Sequence, residues 1–220
     1  MPKVTLTFDN GPTVTTTPQV LNELRQRHLN AYFCLVASQL LKGQEQVDIA
    51  NQTQAEGHVL VNHSLTHGVA LGDDPSAQHA QNEIAQSHDV FLQKMPNWNP
   101  RFFRPFGRGG ELGQHLLSQS SISHIQCLGY SVLLWNSVPR DWENNDGWVE
   151  TAMDQCKEQN HTVVVLHDLN TGAMDHLGRF LDELLVHHEV TMDVPVDCLP
   201  IEHGQINWPS HRFEQIITES

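Results

Sequence analysis

Six side chains that can carry charge or bind a metal stand at or just after the ends of predicted strands. They are Asp9, His63, His67, Arg104, Asp141 and His167. Carboxylates and imidazoles transfer protons, and two histidines four residues apart lie on one face of a helical turn, as two ligands of one metal ion must. Because the C-terminal ends of parallel strands open on one face of a barrel, these side chains are expected to meet there.

Each of these signals also has a purely structural interpretation. The sequence DNGP at residues 9–12 is common turn chemistry, since Asp and Asn bond to their own backbone and Gly tolerates positive φ. The 15 histidines in 220 residues supply about one i, i+4 pair by chance. His167, at the end of the apolar run VVVL, is either a core residue bonded to backbone or a catalytic one. Trp135 and Trp142 also have a structural interpretation, because tryptophan more often packs in a core or at a rim than binds a ligand.

Strand-like and helix-like segments alternate along the chain. Apolar, β-branched runs predict strands, and apolar residues at helical spacing predict helices. The predicted strands are residues 4–8, 31–36, 58–62, 101–105, 129–135 and 162–167. The predicted helices are residues 18–28, 45–56, 76–95, 111–121, 147–159 and 173–188, and an irregular segment is expected over 195–220. The alternation predicts an α/β fold in a single domain, residues 1–220, with parallel strands in an open doubly wound sheet or a barrel.

Composition and charge narrow the class of protein. The chain carries 26 acidic and 12 basic residues, a net charge of −14, and no basic run that could follow phosphates, so no nucleic acid partner is expected. The four cysteines, which form no C-x-x-C pair, are expected to be buried and reduced. The sequence has no run of about 18 apolar residues and no visible signal peptide, so we expect a cytoplasmic protein with no membrane partner.

Five motifs, in order, resemble those of the polysaccharide deacetylase family, which is carbohydrate esterase family 4 with the NodB homology domain. TFDNGP is similar to the first motif, T-F-D-D-G-P, and NHSLTHG to the second, N-H-S/T-x-x-H. FFRPFG resembles the third, F-R-x-P-Y/F-G, RDW has the Asp-Trp pair of the fourth, and VVVLHD has the L-x-H-D ending of the fifth. These motifs lie within residues 4–170. The resemblance implies a distorted, incomplete (β/α) barrel, TIM-like, with roughly seven strands.

The same resemblance implies a role for individual residues. Asp9 would be the general base, kept ionised by Arg104. His167 would be the general acid, oriented by Asp141. The implied metal ligands are His63, His67 and Asn10, and the implied substrate contacts are Phe106, Trp142 and Val165. The implied cofactor is a divalent metal ion, with zinc as the first choice.

Two departures from the family pattern bear on activity. Asn10 stands where the family has a second Asp, so the site has one anion fewer and is expected to bind zinc less tightly. The third motif is one residue short, which is expected to displace the backbone N–H of Phe106, the implied oxyanion donor. A smaller change is Val165, where the family usually has the Leu that contacts the acetyl methyl group.

The expected function is metal-dependent removal of an N-acetyl group from a sugar or small amide, which releases acetate and a free amine. A cytoplasmic location would favour a soluble oligosaccharide, sugar derivative or other amide over a cell-wall polymer. One alternative is a catalytically impaired, deacetylase-like carbohydrate-binding module, which Asn10 and the shortened third motif favour. Another is a hydrolase of a non-sugar amide, such as a cyclic imide or ureide, on the same fold.

Overall fold

A seven-stranded parallel sheet forms the centre of the protein, seen in a computed structural model that describes residues 1–99 and 101–218. Its strands are β1 (Lys3–Asp9), β2 (Tyr32–Leu35), β3 (Val59–Asn62), β4 (Phe102–Phe103), β5 (Ser131–Val132), β6 (His161–His167) and β7 (Glu189–Val190). Their order is β5-β4-β3-β2-β1-β6, and β7 also pairs with β1. All of these pairings are parallel, as the alternation of strands and helices predicts.

The sheet curls into an incomplete barrel because the chain beyond β5 returns to β6. Ser137 forms a parallel bridge with Val164, and the backbone N–H of Val165 donates to the carbonyl of Ser137 at 3.0 Å. The contact is a single bridge rather than a full strand pairing, so the barrel is distorted at this point. The α/β class and the distorted (β/α) barrel expected from the motifs are thereby confirmed.

Helices cover the outside of the barrel and bury one apolar face each. They are α1 (Thr16–Gln26), α2 (Ala37–Leu40), α3 (Gln44–Ala55), α4 (Ala77–Ala80), α5 (Ser87–Lys94), α6 (Gln119–Cys127), α7 (Trp148–Lys157) and α8 (Leu177–His187). In α8, for example, Leu177, Phe180, Leu181 and Leu184 recur at helical spacing and are fully buried. A π-helical turn at Gln81–Gln86 joins α4 to α5, so the helix predicted over 76–95 is continuous but not uniformly α-helical.

The helix predicted over 111–121 is wrong. Residues 111–118 contain only a 3-10 turn at Gln114–Leu116, which follows another at Arg108–Gly110, and α6 begins at Gln119, near the end of the predicted range. Gly109 and Gly110 have φ values of 57° and 81°, which a right-handed helix does not contain. The start of α6 is fixed by Ser118, whose side chain accepts from the backbone N–H of Ser121 in a capping box.

Other predicted elements differ in extent, among them the strand predicted over 101–105, which is paired only at Phe102–Phe103. The strand predicted over 129–135 is paired only in β5, and the helix predicted over 173–188 begins with a 3-10 turn at Ala173–His176. The segment expected to be irregular contains, as far as it is described, an antiparallel pair, β8 (Ile201–Glu202) with β9 (Gln205–Ile206), and a short helix, α9 (Ser210–Phe213). Trp208 and Phe213 are buried, so this segment packs on the core.

Two further observations concern cysteines and membranes. All four cysteines are free, and Cys127 is exposed, whereas burial was expected for every one of them. No helix within the described residues is long and apolar enough to span a lipid bilayer.

Candidate active site

A cavity of about 280 Å³ opens where the C-terminal ends of the strands meet. The residues predicted for the site that line this cavity are Asp9, Asn10, His63, His67, Phe106, Trp142, Val165 and His167. The other two, Arg104 and Asp141, lie behind its wall and are 0% and 1% exposed. Every residue predicted for the site therefore belongs to one place in the fold.

Asp9, at the end of β1, is held by a buried arginine. Arg104 donates from Nη1 to Asp9 Oδ1 at 2.8 Å and to the Thr7 hydroxyl at 2.7 Å, and its Nε donates to the carbonyl of Leu133 at 3.2 Å. Burial opposes the charge on Asp9, but the Arg104 guanidinium holds the pKa of this carboxyl below its usual value. Asp9 is therefore an ionised carboxylate that can accept a proton.

His63 and His67 come together in an irregular loop, and the helical turn predicted for them is wrong. The loop follows β3, and Ser64 and His67 have φ values of 68° and 56°, outside the right-handed helical region. The two ring centroids are nevertheless 4.7 Å apart. The two rings therefore meet, as the i, i+4 spacing predicts, but through a different backbone path.

Both imidazoles are neutral at physiological pH. Burial lowers the pKa of His63 and lowers that of His67 to about 3. His63 Nδ1 lies 2.9 Å from the carbonyl oxygen of Arg104, to which it donates, and its Nε2 lies 3.5 Å from Asp9 Oδ2. That tautomer leaves the lone pair of Nε2 free on the cavity side, as a metal ligand requires.

Asn10 lines the same cavity and has a side-chain oxygen with no partner among the described residues. Its Oδ1 is buried and accepts no hydrogen bond from the described residues, and its backbone has φ 78°. No three His, Cys, Asp or Glu side chains in the described part of the chain form a metal-binding group. The donor set at the cavity is therefore two neutral imidazoles and one amide oxygen, which fits a divalent metal but has a weaker charge than a set with a carboxylate.

His167, at the end of β6, makes two hydrogen bonds with Asp141. Asp141 Oδ1 lies 2.8 Å from His167 Nδ1, and Oδ2 accepts from the backbone N–H of His167 at 2.9 Å. Burial alone would lower the pKa of His167, but the hydrogen bond and charge of Asp141, with the charge of Asp9, raise it above its usual value. Trp142 packs edge-on against the imidazole with ring centroids 4.7 Å apart. The surroundings of His167 thus favour its protonated form, and Asp141 fixes the orientation of its ring.

The remaining cavity wall is aromatic and glycine-rich. The Phe106 ring packs on His67 at a centroid distance of 4.2 Å, and the indole N–H of Trp135 donates to the carbonyl of Gly110 at 2.7 Å. A Cβ on Gly107 would lie 2.4 Å from the Trp135 ring, so glycine is needed for this close approach. The sequence indicated a core or rim position for Trp135, whereas Val138 and Leu169, which also line the cavity, carried no signal at all.

Asp168 is a buried acid that sequence reasoning passed over, although it stands next to His167. It accepts a hydrogen bond from the Thr17 hydroxyl, and burial raises its pKa to about 7. Its carboxyl packs against Gly11, where an added Cβ would lie 2.2 Å from Oδ2. Asp168 therefore supports the loop that contains Asn10 by packing against the neighbouring Gly11. The L-x-H-D ending of the fifth motif was the available signal.

Sequence comparison places this chain in a known family. The chain matches the sequence model of the polysaccharide deacetylase family over residues 1–120, more than half of its length, and it belongs to that family. It is 29% identical to a peptidoglycan-N-acetylglucosamine deacetylase of Bacillus cereus over 167 residues, which is 75% of this chain and 72% of the relative. It is also 29% identical to a chitooligosaccharide deacetylase of a Bradyrhizobium species, over 75% of this chain and 70% of the relative.

Solved structures share the fold. A family 4 carbohydrate esterase from Streptomyces lividans superposes with a TM-score of 0.71 at 22% identity, covering 91% of this chain and 97% of the other. A family 4 pseudoenzyme from Bacillus anthracis superposes with a TM-score of 0.70 at 16% identity, covering 86% of this chain and 63% of the other. A protein named as an esterase and one named as a pseudoenzyme thus share this barrel, so the fold alone does not determine activity.

Proposed function

We propose that this protein hydrolyses the N-acetyl group of a carbohydrate with the help of a divalent metal ion, zinc being the first choice. One observation carries the proposal: the cavity holds a carboxylate, Asp9, whose pKa is lowered, and an imidazole, His167, whose pKa is raised, and each is paired with a buried side chain, Arg104 and Asp141. Two titratable groups whose surroundings push their pKa values apart are what general base and general acid catalysis need. The curated relatives, named as deacetylases of N-acetylated sugars, support the same reaction.

The chain's own residues account for the proton movements of amide hydrolysis. Asp9 takes a proton from the attacking water as the new C–O bond forms at the acetyl carbonyl carbon. His167 gives a proton to the nitrogen as the C–N bond breaks, which releases acetate and a free amine. A divalent ion bound by His63, His67 and Asn10 would supply polarisation of the acetyl carbonyl and a lowered pKa for water.

The cavity wall suits a sugar carrying a small acyl group. Trp142, Phe106 and Trp135 present aromatic faces and edges, on which the C–H groups of a sugar ring pack, and Val165 offers an apolar contact for a methyl group. The volume of about 280 Å³ is suited to one acetylated sugar unit rather than a long chain segment. The substrate class we propose is therefore an N-acetylated sugar or oligosaccharide. A cytoplasmic location stays a prediction.

Asn10 favours a second candidate, a binding module that has lost the reaction. The missing anion weakens the donor set for the metal, and a protein without its metal would bind an acetylated sugar without cleaving it. Against this, the two buried ion pairs, Arg104 with Asp9 and Asp141 with His167, are complete. Buried charges are costly to keep without a use, so the hydrolase is the stronger candidate.

Acetate release distinguishes the two candidates. Purified protein is loaded with Zn²⁺ or Co²⁺ and incubated with N-acetylated chitooligosaccharides, peptidoglycan fragments, and small amides that include a cyclic imide and a ureide. We expect acetate and a free amine from at least one acetylated sugar, and much less after addition of a chelator. Binding of a sugar without turnover by the metal-loaded protein would support the module instead. Turnover of the imide or ureide alone would identify a non-sugar amide hydrolase.

A further inference from the structure

Glu83 is a buried acid whose hydrogen bonds all go to the loop that carries the two cavity histidines. Its Oε2 accepts from the backbone N–H groups of Leu65 at 3.1 Å and Thr66 at 2.9 Å, and its Oε1 accepts from the Thr66 hydroxyl at 2.8 Å. The side chain is 4% exposed. These three hydrogen bonds fix two consecutive peptide units of the loop.

The loop needs such support because its backbone lies outside regular structure. Ser64 and His67 both adopt positive φ, which costs about 1 kcal/mol or more for residues other than glycine. The backbone N–H groups of Leu65 and Thr66 lie between these two positions and find their acceptors on Glu83. The hydrogen bonds of Glu83 therefore hold the peptide units that separate His63 from His67.

The helix that carries Glu83 contacts this loop one turn further on as well. Ser87 donates to Asn62 Oδ1 at 2.6 Å, and the same oxygen accepts from the backbone N–H of Ser64 at 3.1 Å. Glu83 lies within the π-helical turn and Ser87 directly follows it, and both are buried. A π-turn inserts an extra residue, which changes the direction of the side chains that follow, and such turns are frequent at functional sites. Here the turn aims two polar side chains at one loop.

We infer that Glu83 is a positioning residue that holds His67 in metal-binding geometry through the backbone of Leu65 and Thr66. Its role is hydrogen bonding, since both oxygens are used by donors from the loop. A glutamine can satisfy the same three groups: its carbonyl oxygen accepts from the two N–H groups, and its amide donates to the Thr66 hydroxyl. An alanine can satisfy none of them. The inference rests on the proposed function, in which His63 and His67 hold a metal ion.

Three variants test the inference: Glu83→Ala, Glu83→Gln and the matched control Asp89→Ala, which removes an exposed acid from the same helical segment. The probes are Co²⁺ affinity by calorimetry, and amide hydrogen exchange of Leu65 and Thr66. We expect Glu83→Ala to lose exchange protection at both amides and to bind Co²⁺ about tenfold more weakly or worse. Loss of a residue that supports a metal ligand typically weakens metal binding by that much. Glu83→Gln should stay near the parent in both measurements, and Asp89→Ala should match the parent.

The two probes separate positioning from simple stabilisation. An acid that only stabilised the fold would lower the Tm and leave the Co²⁺ affinity unchanged at temperatures where the variant is folded. An unchanged Co²⁺ affinity in folded Glu83→Ala would therefore overturn the inference, and so would a Glu83→Gln variant as impaired as Glu83→Ala. Neither probe needs turnover, so a parent protein that binds Co²⁺ but hydrolyses nothing would count against the proposed function alone. Where turnover is found, Glu83→Ala should lower kcat more than it raises KM.

Discussion

Asp9 and His167 are register partners on the neighbouring parallel strands β1 and β6. Residues in register on adjacent strands point to the same side of a sheet, so the carboxylate and the imidazole face the same cavity. Behind each stands a buried partner, Arg104 for the carboxylate and Asp141 for the imidazole. A proton acceptor and a proton donor are thus set side by side by strand pairing alone.

The first prediction is a bell-shaped pH dependence of kcat/KM. Burial works against the charged form of both groups, but Arg104 brings the pKa of Asp9 below its usual value, and Asp141 brings the pKa of His167 above its usual value. The rate should rise as Asp9 loses its proton at acidic pH and fall as His167 loses its proton at alkaline pH. Acetate release over the pH range in which the protein stays folded measures both limbs.

Asp141→Asn assigns the alkaline limb. Without the carboxylate the pKa of His167 should drop, so the alkaline limb should move to lower pH while the acidic limb stays in place. If the alkaline limb does not move, it belongs to another group, such as water on the metal.

The second prediction concerns the size of the two proton-transfer effects. Asp9→Asn and His167→Ala should each lower the rate about 10²-fold or more, the typical contribution of a positioned acid or base. His161→Ala is a matched control, because His161 stands at the opposite end of β6 and contacts Thr5 rather than the cavity. Full activity in both active-site variants would contradict the assigned roles.

The third prediction is that Asn10→Asp strengthens metal binding. The change restores an anion at an oxygen that is buried and accepts no hydrogen bond from the described protein. Aspartate tolerates the left-handed backbone at this position about as well as asparagine, so the loop should keep its path. We expect Zn²⁺ to bind about tenfold more tightly by calorimetry. The control Asn99→Asp adds the same charge at an exposed position, and equal affinities in all three proteins would show that Asn10 does not bind the metal.

The sequence predicts the parts of this site that depend on strand ends. Asp9, Arg104 and His167 follow apolar runs, and a parallel sheet gathers such ends on one face, so their meeting follows from periodicity. The spacing of His63 and His67 predicts that their rings lie together, which they do, but it predicts the wrong backbone. Positive φ at Ser64 and His67 depends on contacts with other segments, and residue spacing contains no information about those contacts.

Glu83 and Gly11 show why other parts escape prediction. Glu83 is separated by 17 and 18 residues from the amides it holds, and its direction depends on a π-turn that hydrophobic periodicity does not reveal. The sequence indicates that Gly11 is a turn residue. The structure requires glycine there because Asp168, which is distant in sequence, packs against it. In both cases a long-range contact decides what the residue does.

The fourth prediction follows from that contact: Gly11→Ala should destabilise the fold. The new Cβ would lie 2.2 Å from Asp168 Oδ2 and 2.7 Å from its Cγ, and the buried Asp168 is held by Thr17. Relief needs movement of a packed carboxyl, so we expect a loss of about 2 kcal/mol in the free energy of unfolding. Urea denaturation measures it. Gly43→Ala is the control, since the nearest atom there is the end of the flexible Gln46 side chain at 3.2 Å; equal losses in the two variants would exclude the Asp168 contact as the cause.

The last prediction is acid sensitivity caused by His58, a buried residue outside the cavity. The backbone N–H of Ala31 donates to His58 Nδ1 at 3.1 Å, so this nitrogen must keep its lone pair, and burial lowers the pKa of His58 from 6.5 to about 4. Between these two values the unfolded chain binds a proton that the folded protein does not, so stability must fall as the pH drops from about 6.5 toward 4. Allowing for partial solvent screening, we expect a loss on the order of 2 kcal/mol from this group.

Other acidic groups titrate in the same range, so the measurement is the difference between the parent and His58→Asn in urea denaturation at pH 7 and pH 4. The asparagine Oδ1 can still accept from Ala31 but does not titrate, so the variant should lose less stability than the parent on acidification, and equal losses would contradict the assignment.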